Sequence, residues 1–378
     1  MGWKLSRFRA GDSVEVRSKE EILATLDADG CLDGMPFMPE MLQYAGRRLP
    51  VAAVAHKTCD VAQQTLKARR LDTSVHLAGA RCDGSAHGGC QAACNLFWKD
   101  AWLKPGTGRK ARWRLRATRE TRRPLAGISE SQLLAATRPL SASGEPGPAY
   151  SCQATKIFEA TKALAWWNPL QYTRDVITGN HSLKHVIRVL LVSSLRNFMR
   201  VTPTGYRLVR FLYVSSHRRL FGRELPSFRG KVPTNTPTPT VRLDLQPGER
   251  VRIKSKEEIE LTLDVVGKNR GMYYGEELSP YCGSVRTVTK TVTQFIDEAT
   301  GVMRYTKTPC VMLDGAVCKA EYSRCRLLCP REINSWWREA WLERVDGLEN
   351  LTQGAQMDID TSTVNVGLVA TSTQPMAR

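Results

Sequence analysis

No stretch of the chain carries the roughly 18 to 20 consecutive apolar residues that a bilayer-spanning helix needs. The most apolar run, Val186 to Leu195, is broken by Arg188 and two serines. The opening residues Met1 to Arg9 lack the continuous apolar core of a secretory signal. A cytoplasmic protein is therefore expected, and with it reduced thiols, so the eleven cysteines argue for metal binding over a disulfide framework. The sequence also lacks a glycine-rich phosphate loop, a paired-histidine metalloprotease motif and a nucleophile elbow. Acidic residues are scarce, 37 against 55 Lys and Arg, for a net charge of +18. That imbalance favours an anionic partner. Disorder is excluded by a hydrophobic content of 42%, and 378 residues suggest two or three domains.

What the chain does have is a segment written twice. Gly11-Asp-Ser-Val-Glu-Val-Arg-Ser-Lys-Glu-Glu-Ile22 returns as Gly248-Glu-Arg-Val-Arg-Ile-Lys-Ser-Lys-Glu-Glu-Ile259, a shift of 248 − 11 = 237 positions. Within each copy the alternation of Val14 and Val16, or Val251 and Ile253, with polar residues predicts a strand. Ser18 with Glu21, and Ser255 with Glu258, have the spacing of a helix-opening capping box. Ile22, Leu23 and Leu26 supply the buried side of that helix, as Ile259, Leu261 and Leu263 do in the second copy. A further strand is expected after Tyr44-Ala45-Gly46 and Tyr281-Cys282-Gly283. The predicted fold class is α+β, mainly β: two duplicated small SH3-like barrels flanking a helical basic insert. The divisions are 10–104 for the first cysteine-rich module, 105–149 for a basic, flexible linker, 150–230 for a helical region, 245–345 for the second module and 346–378 for a mobile tail. Helices are expected over Ala154 to Trp167 and from Ser182 to about Arg200.

Each copy carries four cysteines: Cys59, Cys82, Cys90 and Cys94 in the first, Cys310, Cys318, Cys325 and Cys329 in the second. Taken in order they match one to one. The last two of each set stand four apart, so on a helix their sulfurs would share a face. Four thiolates suit an iron–sulfur cluster or a closed tetrahedral zinc site. With one tight pair per copy, the spacing leans to a cluster and leaves zinc open. His87 and Cys282 are further candidate donors, and the copies differ in that only the first has His56, His76 and His87 near its cysteines. Cys31 and Cys152 stand alone and read as packing residues. Cys59 with His56 would be a nucleophile–base pair, but the second copy keeps no such histidine. Trp98 and Trp102, like Trp337 and Trp341, are four apart and read as core on a helix face.

Basic residues crowd Arg109 to Arg123 and Arg207 to Arg223, with Trp113, Tyr206, Phe211 and Tyr213 among them. This suits docking onto an acidic protein, or single-stranded nucleic acid. Val186, Ile187, Leu190, Leu191, Leu195 and Phe198 form one apolar stripe, read as a core helix or as a basic amphipathic helix in contact with a membrane surface. The Ser-Lys-Glu-Glu-Ile run, Pro39 to Tyr44, His56-Lys57-Thr58-Cys59 and Cys82 to Cys94 resemble a group of uncharacterised bacterial proteins with a duplicated cysteine-rich SH3-like module, over most of the chain. That resemblance implies no activity. The expectation is a non-catalytic, metal-binding accessory protein, each module holding an iron–sulfur centre and passing electrons to a protein partner. A zinc-stabilised nucleic-acid-binding or scaffold protein is the alternative.

Overall fold

The computed structural model describes residues 2–60, 67–106, 127–141, 143–201, 206–223, 226, 228–323 and 325–345. The arginine-rich run at Arg109 to Arg123 and the tail from 346 lie outside the described residues. The molecule mixes helix and sheet, as an α+β chain should.

The first module opens with β1 (Ser13–Val16), where Val14 and Val16 are wholly buried. Helix α1 (Lys19–Leu23) follows, and the expected capping box is formed: Glu21 N–H donates to Ser18 Oγ at 3.2 Å and Ser18 N–H to Glu21 Oε2 at 3.0 Å. A small hairpin of β2 (Cys31–Leu32) and β3 (Met35–Pro36) comes next. Then run β4 (Arg48–Val54), β5 (Lys57–Cys59), β6 (Ala68–Arg70), β7 (Ser74–Leu77), β8 (Trp98–Lys99) and β9 (Leu103–Pro105). The main sheet has the order β8-β7-β4-β1-β9, every pairing antiparallel. One 3₁₀ turn, Asp100–Trp102, joins its two outermost strands. Trp98 and Trp102 therefore sit on strand and 3₁₀ turn, not on the α-helix face their spacing suggested. Both are fully buried, edge-on to Phe37 at 6.2 and 5.0 Å. The Trp102 indole N–H donates to Thr25 at 3.1 Å, so its one polar group is satisfied inside the core.

Between the modules lie α2 (Glu130–Ala136), β10 (Lys162–Leu164), α3 (Pro169–Ile177), α4 (Leu183–Val201) and α5 (Tyr206–Phe221). The helix expected over Ala154 to Trp167 is not there. That stretch makes turns and then β10, which pairs with β6 and completes a three-stranded sheet β10-β6-β5. Asn168-Pro169, just after the stretch expected to be helical, begins a helix instead: Asn168 Oδ1 accepts from Leu170 N–H at 3.0 Å and Pro169 takes the first-turn position it tolerates. Helix α4 matches its expected span.

The second module repeats the first: β11 (Arg250–Ile253), α6 (Lys256–Glu260), β12 (Lys268–Asn269), β13 (Met272–Tyr273), β14 (Val285–Ile296), β15 (Met303–Val317), β16 (Asn334–Arg338) and β17 (Leu342–Arg344). The order is β16-β15-β14-β11-β17, again with a 3₁₀ turn, Glu339–Trp341, between the outermost strands. Trp341 donates to Thr262 at 3.0 Å as Trp102 does to Thr25. Leu261, expected on the buried side of α6, is exposed; the capped helix is so short that Ile259 and Leu263 alone reach the core.

The long hairpin of β14 and β15 leaves its own module and lies across the other. Gln294 Nε2 donates to the carbonyls of Gly88 and Gly89 at 3.1 and 3.0 Å, and Gln91 N–H donates to Gln294 O at 3.1 Å. The first module returns the contact. Lys57, the position matching Gln294 (294 − 57 = 237), donates from Nζ to Leu327 O at 2.9 Å. Leu327 and Gly88 stand at the same distance before the matching tryptophans Trp337 and Trp98 (337 − 327 and 98 − 88). The two modules thus exchange hairpins, each reaching the other's cysteine loop through matching strand positions.

Candidate thiol sites at the module junction

Sheet register corrects the one-to-one matching of cysteines. In the second module Cys310 pairs with Arg338 and Val311 with Trp337; in the first, Ser74 pairs with Lys99 and Val75 with Trp98. The counterpart of Cys310 is therefore Ser74, not Cys59. Cys90 and Cys329 each stand eight residues before the matching tryptophans Trp98 and Trp337 (98 − 90 and 337 − 329) and correspond. Cys94 corresponds to Ile333: Cys82 N–H donates to Cys94 O at 2.9 Å and Cys318 N–H to Ile333 O at 2.8 Å. Of the pairs matched by order only Cys82 with Cys318 survives, and Cys90 corresponds to Cys329 instead of Cys325. Matching by order of occurrence missed this because the loop after Cys318 is longer.

The Cys82–Cys94 loop is not helical. It closes through Gly84, at φ +77, whose added Cβ would lie 2.0 Å from Cys90 O. Only glycine permits that approach in this loop. Cys82, Cys90 and Cys94 then line one cavity with Cys152, which enters from the central segment, and Ile296, from the tip of the second module's hairpin. Ile296 N–H points at Cys90 Sγ at 3.3 Å. Cys152, read from sequence as a packing residue, is thus the fourth sulfur of this group; its 58-residue separation from Cys94 (152 − 94) hid it. The cavity has a volume of ≈ 30 Å³.

The other polar groups lining this cavity are engaged. His87 Nδ1 is 2.6 Å from Glu40 Oε1 and its Nε2 is 3.1 Å from Ser151 O, so both ring nitrogens face acceptors. Gln153 bonds the backbone of Pro36 and Phe97 at 2.8 to 3.0 Å. The sulfurs are what remains to meet a ligand. Burial pushes the Cys82 and Cys152 thiols up and Cys94 up to about 12, since a thiolate in apolar surroundings is poorly solvated.

A second thiol group forms where the first module's hairpin meets the second module's loop. Cys59 packs with Cys329 and Ala320, with Cys318 and Ile333 beside them. The Cys59 and Cys329 thiols lie against each other, and their coupling lowers Cys59 against the opposing effect of burial, with Arg331 assisting, and pushes Cys329 well above the ordinary thiol range. The pair thus gives up one proton easily and holds the other. Cys329 also lines a polar cavity of ≈ 90 Å³ with His76, His181, Asn95 and Asn180. Arg331, 2% exposed, links the two groups: its charge acts on both Cys59 and Cys94, and Glu298 Oε1 accepts from it at 2.8 Å.

The remaining cysteines stand outside both groups. Cys310 packs with Val292 and Met312, its sulfur 3.7 Å from Val292 O. Cys325 is half-buried and lies outside the Cys59 contact group. Cys282 faces the Tyr274 hydroxyl at 3.4 Å. Cys31 is buried in the first module, burial and Asp27 pushing it up to about 12. His56 has Nδ1 3.3 Å from Val54 O and Nε2 3.2 Å from Gln171 O, so neither nitrogen serves Cys59 as a base. Among the described residues no three His, Cys, Asp or Glu side chains converge closely enough to hold an ion as they stand. No helix among them is long and apolar enough to cross a membrane. No family model, curated protein or solved structure matches this chain.

Proposed function

We propose that the chain is a non-catalytic scaffold protein in which Cys82, Cys90, Cys94 and Cys152 hold a structural zinc ion. The observation that carries this reading is the lining of the first cavity: four cysteine thiols line one small space, with the neighbouring histidine and glutamine already bonded elsewhere. Four thiolates close a tetrahedral zinc site and leave no open position, which suits stabilisation and not turnover. The thiols raised by burial would deprotonate as the ion enters, so uptake is coupled to proton release. Arg331 supplies nearby positive charge for the anionic centre that results. An iron–sulfur cluster would use the same four thiolates, and the metal analysis below separates it from zinc. The strand order, with its 3₁₀ link between the outermost strands, supports SH3-like barrels as the modules that the metal steadies. The excess of 55 basic over 37 acidic residues supports an anionic partner for the scaffold.

Metal analysis of chain purified without oxygen tests this. The expected result is a colourless protein with about one zinc ion, by the ligand count above. Cys90→Ser and Cys152→Ser should each lose it, while Cys310→Ser should keep it. Stoichiometric iron and sulfide with visible absorbance would replace zinc by a cluster. Zinc content unchanged in Cys152→Ser would sink the proposed ligand set.

A further inference from the structure

Exposed large apolar side chains are concentrated in the central helices. On α4, Leu183, Ile187, Leu191 and Phe198 lie on one side with Ser194, while Val186, Val189 and Val192 are buried on the other. Ile187 and Phe198 are each 55% exposed. The stripe read from sequence therefore splits: the valines meet the protein, and the larger residues face out. On α5, Leu208, Phe211 and Leu212 are exposed, and Val209, Tyr213 and His217 are buried. The buried sides rest on the second module. Val186 and Val189 pack on Leu327 and Leu328, and His217 Nε2 is 3.1 Å from Tyr322 Oη. Arg196 pairs with Glu276 and Arg223 with Glu321, fastening the two helices to that module.

Charge identifies what this outward surface meets. From 176 to 223 the chain has nine Lys and Arg and not one Asp or Glu. Lys184, Arg218 and Arg219 are exposed beside the apolar stripes. Apolar side chains flanked by exposed positive charge fit an interface that is apolar beneath and anionic above, as at the headgroup boundary of an acidic bilayer. A second copy of the chain would bring the same positive charge to the contact, so self-association through this face is opposed. At 19 and 16 residues, α4 and α5 are each roughly 24 to 29 Å long at 1.5 Å per residue, which offers an extended surface to lie along a membrane plane.

We propose that α4 and α5 form a peripheral docking surface for anionic lipid bilayers, the apolar stripes entering the headgroup region and the basic residues meeting lipid phosphates. Docking of this kind needs both terms. It should vanish on neutral lipid and weaken with salt, because the electrostatic part is screened within roughly 8 Å at physiological ionic strength.

The test is co-sedimentation of the full chain with vesicles of phosphatidylcholine alone or with 30% phosphatidylglycerol, a composition chosen at about the anionic content that makes surface potential significant. Binding to the anionic vesicles, loss on the neutral ones and marked weakening in high salt are expected. Ile187→Ser with Leu191→Ser, and separately Leu208→Ser with Leu212→Ser, should each lower partitioning at least about tenfold, since each pair removes buried apolar area. These positions are exposed, so folding should survive, and circular dichroism checks it. Equal binding to neutral vesicles, no binding to either, or unchanged partitioning in both folded variants would overturn the proposal. So would a concentration-dependent dimer that the same substitutions abolish.

Discussion

At the scale of single residues, the copies differ most tellingly where one holds a titratable group and the other does not. His76 in β7 occupies the position of Met312 in β15, as the shared register shows. Its Nδ1 lies 2.9 Å from Leu96 O, its ring is 4.6 Å from Phe97, and its Nε2 has no partner. Burial lowers its pKa to about 4, because a charged imidazole there would be unsolvated. The sign follows. The unfolded chain binds the proton near an ordinary value of about 6.5 and the folded chain resists it until about 4. Stability from this group is full above pH 6.5 and is lost as pH falls from about 6.5 towards 4. Urea midpoints measured across that window should fall, and His76→Met, the residue the second module already uses, should make the fall shallower. An unchanged slope in the variant would remove His76 from the account.

The element that organises the site is the exchanged hairpin, and Lys57 is its most exposed liability although the side chain itself is buried. Its Nζ lies 2.6 Å from Asp175 Oδ2 as well as bonding Leu327 O. Both residues of the pair are buried. Removing one partner of a buried ion pair strands the other, at a cost of about 3–5 kcal/mol. Lys57→Met should therefore lose about that much in chemical denaturation, and Lys57→Met with Asp175→Leu should regain a large part. A single-variant loss below about 1 kcal/mol would mean that water reaches the pair. This element also marks where the sequence was legible. The strands, the capping boxes at Ser18 and Ser255 and the helix from 183 could be read because each depends on residues within a turn or two of one another. The thiol groups could not. Cys59, at the end of β5, leaves its own module and meets Cys329, Cys152 joins the first loop from a different segment, and Ser74 holds the place matching Cys310 that order alone gives to Cys59. These pairings are set by sheet register and by the crossing of hairpins, for which the spacing of cysteines carries no sign.

For the whole molecule, the exchange of tips means that neither module completes its surroundings alone. The first cavity is closed by Ile296 from the second module, and Cys318 and Cys329 are covered by Cys59 from the first. Arg81 Nη2 donates to Glu332 O at 3.1 Å and Asn334 Nδ2 to Ala93 O at 2.9 Å, so the two cysteine loops are also tied to each other. Two sheets linked only by a flexible connector would unfold independently, each with its own transition. Here the unfolding of either module strips the cover from the other's loop and opens its apolar surface to water. The modules should therefore unfold as one cooperative unit. Calorimetry should give a single transition with matching calorimetric and van't Hoff enthalpies. Trp98→Phe and Trp337→Phe, one in each fully buried core, should both lower that one transition instead of splitting it. Two resolved peaks, with Trp98→Phe moving one and Trp337→Phe the other, would show that the crossed hairpins contribute too little to couple the modules.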